Sequence, residues 1–147
     1  MLLPLLPISL TLAAALALIN LWLTIRTGLV RRRGGVWIGD GGDEALLRRM
    51  RAQANFVENA PFVLLLVLLV ELAAGPSAGL MGIAGAFVVA RLVHPFGLDG
   101  WKPGRMIGAI VTMLSLLALA LWALALVAMP RHGGGRSVLV ESVMPRG

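Results

Sequence analysis

The residues with the clearest chemical potential lie in a polar stretch that leads directly into an apolar run. The stretch contains Arg48, Arg51, Asn55 and Glu58, which are separated by three, four and three positions. On an α-helix this spacing places the four side chains in one stripe. A dense apolar run begins at Phe62 and is suited to the hydrocarbon of a lipid bilayer. Glu58, just before it, is therefore expected at or below the membrane surface. An ionisable group at that depth is costly unless it is buried with a partner.

Two interpretations of this stripe remain open. In the first, Glu58 forms a structural ion pair with an arginine of its own or a neighbouring helix, because ion pairs commonly account for such groups. In the second, the stripe lines a polar pocket at the mouth of the bundle and binds an anionic ligand.

Two more polar features occur further along the chain. Arg91 and His94 share a helix face at i,i+3 spacing. A lone histidine near a helix end is more often a hydrogen-bonded structural residue than a catalyst, and the second histidine, His132, is too distant in the sequence to suggest a metal site. Arg105 begins an apolar helix. There it is either an anchor that reaches the lipid headgroups or a cation that adds to the positive helix end and stabilises a thiolate or another anion.

The composition indicates that a lipid bilayer surrounds the elements carrying these residues. Of 147 residues, 59% are hydrophobic and only 14% are charged, and the mean hydropathy is +0.90. The net charge of +6 is distributed in short stretches between apolar runs. This distribution is typical of membrane orientation signals and argues against nucleic-acid binding. The absence of cysteine excludes disulfides, thiolate metal sites and a cysteine nucleophile.

The hydrophobic pattern predicts an all-α integral membrane bundle of four transmembrane helices. Each apolar run supplies the roughly 20 residues that span a bilayer core. Asp43 is expected to cap the second helix, and Glu71 near its other end is interpreted as a packing hydrogen bond or interface residue. Residues 1–129 are predicted to form one domain, and the Gly-rich polar segment 130–147 a flexible tail. The predicted helices cover approximately residues 2–25, 44–74, 78–97 and 105–129.

The basic residues also predict the orientation of the bundle. The connection at residues 26–44 and the start of the second helix carry most of the arginines, and the connection at residues 98–104 is flanked by Arg91 and Arg105. Both connections lie on one side of a four-helix topology. The positive-inside rule makes that side cytoplasmic and places both termini outside, although three arginines in the tail argue mildly against this.

One motif resembles the MAPEG family, the membrane-associated proteins of eicosanoid and glutathione metabolism. The motif is Arg-Ala-Gln-x-Asn-x-x-Glu-x-x-Pro, from Arg51 to Pro61. The exit from the first helix, Gly28-x-Val30-Arg31, is similar too, as is the Arg-x-x-His pair before a short loop to an arginine. The resemblance covers approximately residues 10–126, with all four helices in order.

The resemblance implies a homotrimer with sites between the subunits, and glutathione or a related anionic thiol as cosubstrate, without a metal. Glutathione has two carboxylates, which suit Arg51 and Arg31, and an amino group, which suits Glu58. The residues that the resemblance assigns to thiol binding are Arg31, Arg51, Gln53, Asn55, Glu58 and, less directly, His94.

Arg105 matches the arginine that stabilises the glutathione thiolate in some members of the family. A cation beside the sulfur lowers the pKa of the thiol and raises the fraction of nucleophile. The resemblance therefore implies a glutathione transferase or peroxidase. Its thiolate would attack a hydrophobic electrophile or a lipid hydroperoxide that arrives from the bilayer.

Several positions depart from the pattern of the eicosanoid-processing members. The chain has no tyrosine, and Leu98 and Asn59 occupy positions where some members have aromatic hydroxyls. Ala54 and Met106 replace an arginine and a serine of one branch. These departures argue against leukotriene or prostaglandin synthesis and resemble the bacterial branch, which implies a bacterial inner membrane.

A non-catalytic role is the alternative to an enzyme. The chain would then be a trimeric membrane scaffold or an accessory subunit of a larger membrane complex, and the polar stripe would serve assembly alone. A small transporter is disfavoured, because the first and fourth helices are nearly free of charge within the bilayer.

Overall fold

Four α-helices account for almost all of residues 6–129, the part of the chain that the computed structural model describes. They are α1 (Pro7–Gly34), α2 (Glu44–Ala74), α3 (Ala78–Leu98) and α4 (Lys102–Ala128). All four are long and apolar enough to cross a membrane, and residues 6–129 contain no strand. The predicted all-α membrane bundle is therefore confirmed. The segment interpreted as a tail, residues 130–147, lies outside the described residues.

The prediction that the first helix ends near Ile25 is wrong, because α1 continues to Gly34. The end of the apolar run marks the exit from hydrocarbon, whereas the arginines that follow are themselves good helix formers. The helix stops where Gly35 adopts a left-handed conformation (φ 64°) and donates its N–H to the carbonyl of Arg31. Likewise α4 begins at Lys102, three residues before the predicted start, with a proline in its first turn.

The helix α2 begins as the sequence predicts. The Asp43 carboxylate accepts hydrogen bonds from the backbone N–H groups of Ala45 and Leu46, at 2.8 and 3.2 Å. With 31 residues, α2 is about 46 Å long, whereas a bilayer core is about 30 Å thick. The first turns of α2 therefore extend beyond the hydrocarbon. The helix continues through Pro61, which has no N–H to donate.

A residue of α2 caps the N-terminus of α1. The residue that precedes α1, Leu6, offers no side-chain cap. Instead, the Glu71 carboxylate accepts hydrogen bonds from the backbone N–H groups of Ile8 (3.0 Å) and Ser9 (2.7 Å) and from the Ser9 hydroxyl (2.5 Å). A carboxylate here also complements the positive end of the helix dipole. The interpretation of Glu71 as a packing hydrogen bond is confirmed.

The bundle is built around α2 and α3. Among the described helices, α2 contacts the other three, α3 packs closely against α4, and α1 and α4 do not touch. Their shared core is aliphatic apart from two phenylalanines. Its most deeply buried members include Leu12, Leu23, Val63, Val67, Leu80, Phe87 and Leu119.

One end of the bundle, here called the basic face, is formed by residues 26–51 and 98–105. At this face Arg26 of α1 forms a salt bridge with Asp99, at the end of α3. The Arg26 guanidinium also lies 4.8 Å from the ring centroid of Trp22 and 5.8 Å from that of Phe96. The backbone carbonyl of Arg26 accepts a hydrogen bond from Arg49 of α2 at 3.0 Å. Arg26 thus links three helices at this face.

Candidate functional site

A polar cavity of about 170 Å³ opens between α2, α3 and α4 at the basic face. Five of its seven lining residues are site residues predicted from the sequence, and these five come from all three helices. The two others are aliphatic. The lining residues are Arg51, Ala54, Asn55, Glu58, His94, Leu98 and Arg105.

The helical repeat of α2 brings one side of the cavity together. Arg51, Asn55 and Glu58 lie on one face, as their spacing predicts. Next to that face, Ala52, Phe56 and Ala60 are buried in the bundle, which fixes the rotation of α2 about its axis. The polar stripe is consequently held at the edge of the interface with α3 and α4.

The charged groups of the cavity are free of ion pairs within residues 6–129. The salt bridges of this part of the chain join Arg26 to Asp99 and Arg48 to Glu44. Neither involves Glu58, so the intramolecular ion pair that was one interpretation of this residue does not form in the single chain. Arg51, Glu58 and Arg105 are exposed, and their charges remain available to a ligand or to a second copy of the chain.

Close approach of α3 and α4 positions Arg105 and His94. A Cβ added at Gly97 would overlap the backbone of Arg105, so the last turn of α3 contacts the first turn of α4 directly. Further along α4, a Cβ at Gly108 would lie 2.7 Å from the Cβ of His94. Because these two glycines let the helices approach closely, side chains from both α3 and α4 line the cavity.

The structure connects Arg91 to the site. The sequence pattern pairs this residue with His94 on one helix face, but Arg91 is not among the residues assigned to thiol binding. Its side chain is 2% exposed. One guanidinium nitrogen, Nη1, donates to Asn55 Oδ1 at 2.8 Å, and the other, Nη2, donates to the carbonyl of Gly108 at 2.9 Å and to the Thr112 hydroxyl. The sequence feature that could have identified this role is an arginine inside an otherwise apolar helix, because charged residues within membrane-spanning segments are rare and usually functional.

Two residues that were predicted to bind the thiol lie away from the cavity. Arg31 donates from Nη1 to the carbonyl of Gly39 at 2.9 Å and approaches Met50 Sδ to 3.3 Å with Nη2. Gln53 donates to the Thr24 hydroxyl at 2.9 Å. Both side chains therefore face the α1–α2 side of the bundle, and the single chain does not bring them to the other five.

The chemistry of the cavity suits an anionic ligand that also carries a cationic group. Arg51 and Arg105 supply guanidinium donors and Glu58 supplies a carboxylate. His94 is 6% exposed and lies at the inner wall. Within residues 6–129, no group of three or more His, Cys, Asp or Glu residues could hold a metal ion.

Comparison with known proteins assigns the chain to a family. A model of the MAPEG family matches residues 9–125, which include every residue that lines the cavity and most of each of the four helices. No curated protein matches the sequence. The family match and the four membrane-spanning helices together make the chain a multi-pass integral membrane protein. The chain belongs to the MAPEG family.

Proposed function

We propose that the protein binds glutathione, or a related anionic thiol, in the cavity and activates its thiolate. The thiolate is then transferred to hydrophobic electrophiles or reduces lipid hydroperoxides. The observation that carries this proposal is the convergence of Arg51, Glu58 and Arg105 on one cavity at the basic face. Membership of a family that includes glutathione transferases and peroxidases supports it.

The charges around the cavity match those of the tripeptide. Arg51 is a bidentate donor for a carboxylate, and Glu58 is an acceptor for the ammonium group. Asn55 lies between them on the same helix face. Because these groups make no ion pairs with one another in the described chain, ligand binding does not require an existing pair to be broken.

Arg105 is the residue assigned to thiolate stabilisation. It lies in the first turn of α4, so its guanidinium charge adds to the positive end of the helix. Together they lower the pKa of a bound thiol and favour the nucleophilic form. In the transferase reaction the thiolate sulfur forms a bond to the electrophilic carbon. Either a leaving group departs with its bonding electron pair, or the electron pair of a carbon–carbon double bond moves to the neighbouring carbon, which is then protonated. In the peroxidase reaction two thiols supply two electrons and two protons, the O–O bond of the hydroperoxide breaks to give an alcohol and water, and the thiols leave as a disulfide.

A second copy of the chain is needed to complete the site. A volume of about 170 Å³ is below the roughly 300–1,000 Å³ of ordinary small-molecule sites. Arg31 and Gln53 lie on the α1–α2 side, away from the cavity. A homotrimer in which this side of one copy meets the cavity of the next would bring both residues to the ligand.

The walls of the cavity favour a general conjugating or peroxide-reducing activity. Leu98 and Ala54 contribute aliphatic surface, and the chain has no tyrosine that could offer a hydroxyl. The protein therefore lacks the aromatic hydroxyls expected around glutathione in the eicosanoid-processing members. We propose that its second substrate is a hydrophobic molecule that arrives from the lipid.

The test is a glutathione titration of the detergent-solubilised protein, monitored by the ultraviolet absorbance of the thiolate. The wild-type protein and Lys102→Ala should give a saturable thiolate signal, and Arg105→Ala should abolish it. Lys102 is the matched control, because it is an exposed cation in the same turn of α4 but does not line the cavity.

A folded, oligomeric wild-type protein without a thiolate signal would contradict glutathione activation. The non-catalytic scaffold would then be the better description. In that case Arg105→Ala should leave the oligomer intact, whereas removal of Arg51 or Glu58 should dissociate it.

A further inference from the structure

We infer that Arg91 is a positioning residue, which orients the side-chain amide of Asn55 so that its Nδ2 group faces the cavity as a donor. This inference rests on the proposed function, because it states whether Asn55 acts as a hydrogen-bond donor or acceptor toward a ligand in the thiol site. It also predicts which atoms a ligand must present there, namely a carboxylate or carbonyl oxygen.

The position of the Arg91 guanidinium is set mainly by α4. Nη2 donates to the carbonyl of Gly108 and to the hydroxyl of Thr112. That hydroxyl in turn donates to the same carbonyl at 2.7 Å. A guanidinium is planar and rigid, so fixing one terminal nitrogen also fixes the direction of the other. Nη1 is thereby aimed at Asn55, 2.8 Å from Oδ1.

Hydrogen-bond chemistry then determines the orientation of the amide. An arginine has only donors, so the atom of Asn55 that faces it must be the oxygen. The oxygen and nitrogen of an amide point in different directions. Because Asn55 also lines the cavity, its NH₂ group is the end left for a ligand. Without Arg91 the amide could present either end.

The burial of a cationic side chain at position 91 indicates that Arg91 has a role beyond packing. Arg91 is almost fully buried. Among residues 6–129 its Nε has no hydrogen-bond partner, and no carboxylate pairs with it. An apolar residue could fill this space without the cost of burying a cation. A role in orienting Asn55, and in adding positive potential behind the cavity, accounts for the charge.

The experiment is a double-mutant cycle on the glutathione dissociation constant of the full-length protein. The variants are Arg91→Lys, Asn55→Ala and the double mutant. Arg48→Lys is the matched control, because Arg48 is exposed, pairs with Glu44 and does not line the cavity. Each single variant at the site should weaken binding about tenfold, the effect expected for a hydrogen bond to a charged group. The double mutant should resemble Asn55→Ala alone, because Arg91 acts through Asn55. The pKa of the bound thiol should not change in Arg91→Lys, since Arg105 is intact.

Additive losses in the double mutant would overturn the inference, as would unaltered binding by Arg91→Lys. A second measurement applies if the wild-type protein binds no glutathione, which would refute the proposed function. The side-chain amide signal of Asn55, identified by its loss in Asn55→Ala, can be monitored by nuclear magnetic resonance without ligand. It should be ordered in the wild-type protein and Arg48→Lys and mobile in Arg91→Lys. Equal order in all three proteins would refute the positioning role.

Discussion

At the scale of single residues, two glutamates of α2, Glu71 and Glu58, differ in their partners. Glu71 is 2% exposed and accepts three hydrogen bonds from the first turn of α1. Glu58 is exposed at the cavity and has no ion-pair partner in the described part of the chain. The Glu71 carboxylate, whose oxygens accept hydrogen bonds from α1, stabilises the fold. The Glu58 carboxylate, which has no ion-pair partner among residues 6–129, is available to a ligand.

We predict that Glu71→Ala lowers the free energy of unfolding by about 1–3 kcal/mol, because it leaves buried backbone N–H groups of α1 without an acceptor. Glu71→Gln keeps one acceptor oxygen and should cost less. The measurement is a denaturant titration in detergent micelles, monitored by circular dichroism. Glu44→Gln is the control, since the exposed Glu44–Arg48 pair contributes about 0–1 kcal/mol. A loss for Glu71→Ala no larger than that of the control would contradict the capping role.

At the scale of secondary-structure elements, glycines determine how closely α3 and α4 approach. Gly97 has the Arg105 backbone directly against it, whereas a Cβ placed at Gly82 of the same helix would have no atom within 4 Å apart from its chain neighbours and the backbone of its own helix. Small residues are frequent in membrane helix interfaces because they let backbones come together. Only the first of these glycines is needed for the contact that positions Arg105.

We predict opposite effects for two alanine substitutions in α3. Gly97→Ala should destabilise the protein by about 1–3 kcal/mol, because overpacking forces the helices apart. It should also weaken thiol activation, since Arg105 moves with α4. Gly82→Ala has open space around it and should be neutral or stabilising by up to about 1 kcal/mol. Unfolding titrations of both variants in detergent check this. Equal stability of the two variants would show that the close approach does not determine the packing.

At the scale of the whole molecule, the charges of residues 6–129 are concentrated at one end of the bundle. The long ends of α1 and α2 and the α3–α4 connection form the basic face. The α2–α3 turn at the other end, Gly75–Pro76–Ser77, has no charged residue. We propose that the basic face is cytoplasmic, because basic loops are retained on that side.

The absence of native cysteine allows a direct test of this orientation. We predict that single-cysteine variants Trp37→Cys and Trp101→Cys react with a membrane-impermeant maleimide only from the cytoplasmic side. Pro76→Cys should react only from the opposite side, since each membrane crossing reverses the chain direction. All three positions are exposed. Labelling of intact cells and of inverted vesicles separates the two sides, and reaction of Trp37→Cys and Pro76→Cys from the same side would contradict the topology.

The sequence by itself determined the properties that depend on neighbouring residues. Apolar run length predicts four spanning helices, and the 3.6-residue repeat predicts that Arg51, Asn55 and Glu58 share a face. The same repeat places Gln53 about 200° around the helix from Arg51, which explains why these residues lie on different sides. The predicted end of α1 is too early and the predicted start of α4 is three residues too late, because a change in hydrophobicity marks the edge of the hydrocarbon and not the end of a helix.

Only the tertiary structure decided which distant groups meet. Arg91 lies 36 positions from Asn55 and Glu71 lies 62 positions from Ser9, and no periodicity links such pairs. Their contacts depend on the rotation and separation of packed helices, which are set by the buried faces and by close approaches such as that at Gly97. The sequence therefore determined the helices and one face of the candidate site, whereas helix packing decided that α3 and α4 complete it and that Arg91 supports it.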